Sequence, residues 1–181
     1  MLVFLDFEAS SLAAASYPIE IGWVFEDGLG EAHLIRPAPA WTDWDPAAEA
    51  IHHLPRQTLL DEGEPHERVA RRALETLTGH TLYASAPSWD GKWLSVLLRA
   101  AGLPRHALRL ADSDQAHLGI ARSILSPLLS GAALEMAAAE MLEQARTALD
   151  HPPRHRALDD ARQELAIWRE VRRASVEARR H

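Results

Sequence analysis

The chain has 181 residues, of which 47% are hydrophobic and 25% are charged, a balance that argues against a disordered chain, a collagen-like repeat or a pure coiled coil. It contains no cysteine, which excludes disulfides, cysteine-ligated zinc and a thiol nucleophile and favours a cytoplasmic location. The net charge of −7 argues against a sequence-independent grip on a long phosphate backbone. Because Asp6 and Glu8 interrupt the apolar N-terminal run, neither a signal peptide nor a membrane anchor is expected, and the protein is predicted to be soluble.

Short apolar and β-branched runs predict five strands, at residues 2–6, 19–25, 31–36, 81–84 and 108–110. The Asp27-Gly28 turn is typical of a β-hairpin, so the first three strands are expected to be antiparallel. Apolar residues at helical spacing predict a short helix opened by Pro46, followed by helices at 65–77, 89–101, 115–125, 132–149 and from about 156 onwards.

Strands that alternate with helices in the second half favour parallel pairing there. The predicted fold is therefore α/β, with a mixed five-stranded sheet flanked by helices. We expect one domain over residues 1–181, ending in a basic, solvated helical tail from about residue 169.

Two acidic residues end the first predicted strand. Because side chains alternate along a strand, Asp6 and Glu8 should share one face, with Phe7 on the other. Like charges this close raise each other's pKa, so the pair is costly unless a cation lies between them or one carboxyl stays protonated. Mg²⁺ and Mn²⁺ prefer such oxygen ligands. An isolated D-x-E is nevertheless more often a solvated strand end, so the metal hypothesis needs further ligands.

Three later residues could complete such a site. Asp90 follows the fourth predicted strand, Asp160 lies in the last helix, and residues that end neighbouring strands meet at one edge of an α/β sheet. Taken alone, Asp90 is as well explained as a helix N-cap. His155 precedes Asp160 by five positions, and its imidazole could take a proton from a metal-polarised water near neutral pH. An isolated histidine is more often a surface or capping residue.

These motifs, in this order, resemble the DEDDh exonucleases, which have an RNase H-like fold. The resemblance rests on FLDFEASSL at 4–12, YASAPSWDGKWL at 83–94 and HRALDDARQEL at 155–165. It implies a single exonuclease-like domain in which two Mg²⁺ or Mn²⁺ ions are bound and His155 is the general base. The implied metal ligands are Asp6, Glu8, Asp90 and Asp160. Helix periodicity leaves Asp159 as a rival to Asp160, and the family's spacing from the histidine selects Asp160.

The resemblance also suggests substrate contacts, with some departures from the family pattern. Many members have Thr-Thr-Gly-Leu after the first motif, where this chain keeps the leucine and a hydroxyl but lacks the glycine. His52 lies in a segment similar to the family's His-Gly-Ile. Trp89 could stack on a base or fill the core, and the core is favoured because tryptophan is mostly buried. Two arginines beside His155 could contact phosphate or be solvated helix-start charges. The substrate-binding candidates are Ala9, Ser10, Leu12, His52, Trp89, Arg154 and Arg156.

The resemblance therefore implies a metal-dependent 3′–5′ exonuclease that acts on single-stranded DNA or RNA 3′ ends, or on short oligonucleotides, and releases nucleoside 5′-monophosphates. Two alternatives stay open. One is a catalytically silent module of the same fold that binds nucleic acid or a partner, against which the intact set of acids and histidine argues. The other is a hydrolase of small phosphodiesters or dinucleotides, which composition does not separate from the first hypothesis.

Overall fold

The structure, a computed structural model, describes residues 1–150 and 154–180, and all structural statements below refer to these residues. Its strands are β1 (Leu2–Ala9), β2 (Pro18–Phe25), β3 (Gly30–Arg36), β4 (Glu64–Pro65), β5 (Thr81–Ala84) and β6 (Leu110–Asp112). Its helices are α1 (Pro46–His52), α2 (Arg56–Glu62), α3 (His66–Leu77), α4 (Pro87–Ala100), α5 (Ser113–Leu125), α6 (Gly131–Ala148) and α7 (Ala157–Ala178).

The strands form one mixed sheet in the order β4-β3-β2-β1-β5-β6. β1, β2 and β3 are antiparallel neighbours, whereas β5 pairs parallel to β1 and β6 pairs parallel to β5. The predicted mixed α/β sheet is thus confirmed, with one more strand than expected. That strand is the two-residue β4, which pairs with the end of β3 at the sheet edge, where Pro65 can sit without an N–H to donate. It is too short to leave a periodic pattern.

Side-chain alternation along β1 divides the molecule into two layers. Val3, Leu5 and Phe7 belong to a core packed under α3 and α4. Phe4 packs on the opposite face with residues of α5 and α7. Asp6 and Glu8 follow Phe4 in the alternation and therefore lie on the α7 side of the sheet.

A third apolar cluster joins α5 and α6 to the second half of α7. Val171 and Ser175 are buried there, so the basic segment beyond residue 169 is a continuation of α7. Its arginines are exposed at Arg172, Arg173, Arg179 and Arg180. Within residues 1–150 and 154–180, none of the helices has both the length and the hydropathy that crossing a bilayer requires.

The start of α7 lies directly against the middle of β2. A Cβ added to Gly22 would fall 2.2 Å from the backbone nitrogen of Leu158 and 2.5 Å from the carbonyl carbon of Ala157. Gly22 is the register partner of Asp6. A glycine at this position is therefore what allows the helix backbone to approach the strand beside the acidic pair.

We expect Gly22→Ala to lower the free energy of unfolding by about 1–3 kcal/mol, roughly 2–12 °C in Tm, because the added methyl meets backbone atoms that cannot rotate away. Gly119→Ala is the matched control, since Gly119 lies inside α5 with open space around its Cβ position. The control should gain about 0.5–1 kcal/mol from helix propensity. Thermal unfolding followed by circular dichroism measures both, and equal Tm values for the two variants would contradict the packing argument.

Candidate active site

The first part of the site comes from β1. Asp6 and Glu8 leave the same face of this strand, as predicted, and lie beside the beginning of α7. In the antiparallel register Asp6 stands opposite Gly22 and Glu8 stands opposite Glu20 on β2. The two carboxyl groups are partly buried.

The second part comes from the turn that leads into α7. Glu8, His155 and Asp160 each present a ligand atom, and these three atoms lie within 4.8 Å of one another. The backbone N–H of Arg154 donates to Asp160 Oδ1 at 3.2 Å, which ties Asp160 to this turn. Asp159 instead lies 3.7 Å from Arg154 and 3.8 Å from Arg162. The structure therefore groups Asp160, and not its rival, with the other acids.

The third part is Asp90, in the first turn of α4. The N-cap of this helix is Ala86, so the reading of Asp90 as an N-cap is wrong. Its side chain is 2% exposed, and Oδ2 has no hydrogen-bond partner in the part of the chain that the structure describes. A buried carboxylate oxygen without a donor is costly, and a ligand is the usual reason for one to persist.

Burial raises the pKa of all four carboxyl groups, and neighbouring acids add to the effect at Asp6 and Glu8. The pKa of Asp6 is raised well above its ordinary range by burial and then by the charges of Asp90, Glu8, Asp160 and Glu164. Burial and Asp160 are the main causes that raise the pKa of Glu8 to about 8. Burial also raises the pKa of Asp90 to about 7 and, less strongly, that of Asp160. The protein thus concentrates negative charge where water cannot fully compensate it.

These residues fit a hard divalent cation. The donor set consists of carboxylates with one imidazole, and Asp90 Oδ2 is a buried acceptor that lacks a partner among the described residues. Mg²⁺ and Mn²⁺ prefer oxygen ligands, and a bound cation would stabilise such a site by neutralising its clustered negative charge. The residues that would hold it are Asp6, Glu8, Asp90 and Asp160, with His155 beside them.

The substrate-binding candidates at the end of β1 and in the loop after it differ in their exposure. Ala9 and Ser10 are buried, and the hydroxyls of Ser10 and Ser11 both donate to Asp43 Oδ2, at 2.9 and 2.6 Å. Leu12 is 70% exposed. An exposed leucine beside an acidic site offers apolar surface to a ligand, whereas the serine hydroxyls are occupied in holding the loop.

Trp89 lies at the surface, so the expectation that it fills the core is wrong. It is 37% exposed and stacks on Trp93, with ring centroids 5.6 Å apart. The ammonium group of Lys92 lies 5.0 Å from the Trp89 centroid and donates to the Ala13 carbonyl oxygen and to Ser16 Oγ. Trp93, one turn further along α4, takes the buried position that the sequence analysis gave to Trp89.

His52 ends α1 and is buried. The Leu54 N–H donates to His52 Nδ1 at 3.1 Å, and burial lowers the pKa of His52, so the neutral ring carries its proton on Nε2. Nε2 has no hydrogen-bond partner among residues 1–150 and 154–180. His52 is thus a buried donor that can serve an acceptor on a ligand.

The two arginines beside His155 differ. Arg154 is exposed, with Asp159 as its ion-pair neighbour at 3.7 Å. Arg156 instead holds Glu20, to which it donates from Nη2 at 2.6 Å and from Nε at 3.1 Å. The Arg156 guanidinium, for which a phosphate contact and a solvated charge were both open, is therefore engaged by the protein itself.

The sequence analysis missed two acids near the site. Glu20 is buried on β2, and its signal was a charged residue inside the apolar run IEIGWVF. Glu164 follows Asp160 by one helical turn, on the same face of α7, and its charge contributes to the raised pKa of Asp6.

Solved structures of exonuclease I are similar to this chain. The zinc-bound complex of E. coli exonuclease I with single-stranded DNA gives a TM-score of 0.68 at 16% identity, over 96% of this chain and 40% of that one. E. coli exonuclease I with a dT13 oligonucleotide gives 0.64 at 17% identity, over 92% and 39%. Exonuclease I from Methylocaldum szegediense gives 0.67 at 17% identity, over 95% and 40%.

The chain therefore spans about two fifths of the length of these exonuclease I chains. A scan of protein-family models gives no match, and a search of curated protein sequences gives none either. At this identity the likeness shows the fold, so the predicted RNase H-like α/β architecture is confirmed.

The raised carboxyl pKa values predict how stability depends on pH. A carboxyl with a higher pKa in the folded state stabilises the fold below its ordinary pKa, and this stabilisation is lost as pH rises through the folded value. Asp90 moves from 3.8 to about 7 and Glu8 from 4.5 to about 8. We expect the Tm of the metal-free protein to fall between about pH 4 and 8, and millimolar Mn²⁺ to reverse the fall at the alkaline end.

Differential scanning calorimetry in EDTA and in Mn²⁺ measures this dependence. Asp90→Asn should flatten the metal-free curve, because the amide does not ionise. A metal-free Tm that stays constant or rises over this range would contradict the buried acidic cluster, and a Tm unaffected by Mn²⁺ would contradict the metal site.

Proposed function

We propose that the protein is a metal-dependent 3′–5′ exonuclease that acts on single-stranded nucleic acid ends. The observation that carries the proposal is the group formed by Glu8, His155 and Asp160, whose ligand atoms lie within 4.8 Å of one another. Asp6 lies close enough to Asp90, Glu8 and Asp160 for their charges to raise its pKa. The exonuclease I fold supports a nuclease, and the matching structures include complexes of exonuclease I with single-stranded DNA.

In this proposal Asp6, Glu8, Asp90 and Asp160 hold two divalent cations. When bound, Mg²⁺ or Mn²⁺ would supply Lewis acidity at the scissile phosphate and make water acidic enough to be deprotonated near neutral pH. The carboxylates bring the negative charge that binds and orients the cations. His155 has a ring nitrogen within 4.8 Å of carboxylate oxygens of Glu8 and Asp160, where it could accept a proton.

The reaction would be hydrolysis of the terminal phosphodiester. The water oxygen forms a bond to phosphorus, the bond from phosphorus to the 3′ oxygen of the preceding nucleotide breaks, and that oxygen leaves and is protonated. His155 takes the proton from the attacking water. The products are a nucleoside 5′-monophosphate and a chain shorter by one nucleotide.

The edges of the site favour an end-trimming enzyme for DNA or RNA. Leu12, four residues after Glu8, and Trp89, the residue before Asp90, are exposed. Stacking of bases on an aromatic ring does not depend on base identity. Arg154 is an exposed cation next to His155 that can meet a phosphate. With a net charge of −7, such local contacts suit a short single-stranded end better than a long duplex.

The first test compares Asp160→Asn and His155→Gln with the matched control Asp159→Asn on 5′-labelled single-stranded DNA and RNA in Mn²⁺. We expect loss of at least ~100-fold in kcat for the first two variants, since a general base alone contributes about 10²–10⁴-fold. Asp159→Asn should keep wild-type activity, because its carboxyl faces arginines outside the acidic group. A product ladder that persists in all three variants would overturn the assignment.

The same experiment separates the alternatives. Wild-type protein that binds the oligonucleotide without cleaving it in Mg²⁺ or Mn²⁺ would be a silent binding module. Wild-type protein that cleaves a dinucleotide or a nitrophenyl phosphodiester but not a longer strand would be a small-phosphodiester hydrolase.

The second test concerns the two exposed apolar side chains. We expect Trp89→Ala to raise KM for a single-stranded oligonucleotide by roughly 5- to 100-fold, because stacking of a base on an aromatic ring is worth about 1–3 kcal/mol. Leu12→Ala should raise KM in the same direction, because it removes apolar surface that a base can cover. Leu29→Ala is the control, since Leu29 is 71% exposed, almost the same as Leu12, but lies at the β2–β3 turn. An unchanged KM in both site variants would contradict their role as stacking surfaces.

A further inference from the structure

His155 has a backbone conformation that the surrounding structure must hold. Its φ of 52° lies in the left-handed region, which is uncommon for a residue other than glycine. Such a residue keeps this conformation where its neighbours over-determine it. The contacts on either side of His155 therefore decide where its imidazole stands.

Both flanks of His155 are tied down. On the N-terminal side, the Arg154 N–H donates to Asp160 Oδ1 at 3.2 Å. On the C-terminal side, Glu20 accepts from Arg156 Nη2 at 2.6 Å through Oε1, and from the Ala157 N–H at 3.0 Å through Oε2. Arg156 Nε completes the fork at 3.1 Å from Oε2 and 3.2 Å from Oε1.

The carboxylate that accepts these bonds, that of Glu20, belongs to β2, the strand next to β1. Glu20 is 1% exposed and is the register partner of Glu8, so it connects the turn before α7 to the strand next to β1. Arg156 is half-exposed and covers the outer side of Glu20. An unpaired carboxylate at this depth would cost free energy, and its charge raises the pKa of Glu8; the Arg156 guanidinium pairs with Glu20 and offsets part of that effect.

We propose that Glu20 and Arg156 are positioning residues that hold His155 and the first turn of α7 against β2, so that His155 and Asp160 meet Glu8. This inference rests on the proposed function, because the geometry it protects is that of the nuclease site. It assigns Arg156 to orienting the site, in place of the phosphate contact or solvated charge that the sequence leaves open. Arginine suits the role because its planar fork makes two parallel bonds, which a lysine cannot reproduce.

The test measures cation binding and catalysis in the full chain for Arg156→Gln, Arg156→Lys and Glu20→Gln, with Arg172→Gln, an exposed arginine of the same helix, as control. We expect the first three to weaken Mn²⁺ binding, measured by isothermal titration calorimetry without nucleic acid, by about 10- to 100-fold. The control should match wild type. Arg156→Lys keeps the positive charge, so it serves as the test variant if Arg156→Gln does not fold. We expect it, too, to weaken Mn²⁺ binding.

Two further readouts separate positioning from other roles. We expect kcat to fall by about 10- to 100-fold while KM for the oligonucleotide changes by less than about 2-fold. The double variant Glu20→Gln/Arg156→Gln should be no worse than either single variant, since both act through one pair. In EDTA, the salt dependence of binding to a fluorescent dT oligonucleotide should stay unchanged in Arg156→Gln, whereas a phosphate contact would lower the slope by about 0.7.

The outcomes distinguish this inference from the proposed function. Wild-type Mn²⁺ affinity and kcat in Arg156→Gln and Arg156→Lys would overturn the positioning role and leave the nuclease assignment standing. A reduced salt slope with unchanged Mn²⁺ affinity would replace it with the phosphate contact. Wild-type protein that neither binds Mn²⁺ nor cleaves would overturn the proposed function, and with it the positioning role.

Discussion

The close approach of α7 to β2 at Gly22 is the constraint on which the rest of the site depends. Backbone meets backbone there, because even one methyl group would fall 2.2 Å from Leu158 N. Since Gly22 stands opposite Asp6, this contact sets the distance between the acids of β1 and the residues at the start of the helix. Leu165 and Trp168, which pack with Phe4 and Val24 on this face of the sheet, hold the helix in this position.

The acidic group is an arrangement that the fold must stabilise from outside. Burial and mutual repulsion raise the carboxyl pKa values, so the group by itself opposes folding near neutral pH. The opposing contribution comes from the apolar layer on the other face of β1, where Val3, Leu5 and Phe7 are almost fully buried. One face of β1 therefore stabilises the sheet by apolar burial, while the other face carries the carboxylates of the candidate site.

The sequence was sufficient for the features that depend on local pattern. Alternation placed Asp6 and Glu8 on one face, and helix periodicity gave the main helices within a few residues. Other features depend on pairing across the chain and leave no local signal. β4 exists because two residues pair with β3, and Arg156 finds Glu20 across 136 positions. The prediction that Trp89 is buried was wrong. It rested on the general preference of tryptophan for the core, which does not decide which of the two α4 residues, Trp89 or Trp93, faces the protein interior.

Lys92 connects the segment that follows β1 with helix α4. This residue, the sole lysine of the chain, bonds the loop behind Leu12 through Ala13 and Ser16 while its ammonium group lies against Trp89. Lys92 thereby links the loop that follows β1 to the first turns of α4. Lys92 reaches Ala13 across 79 positions of the chain, so the loop that carries Leu12 is fastened next to the helical turn that carries Asp90.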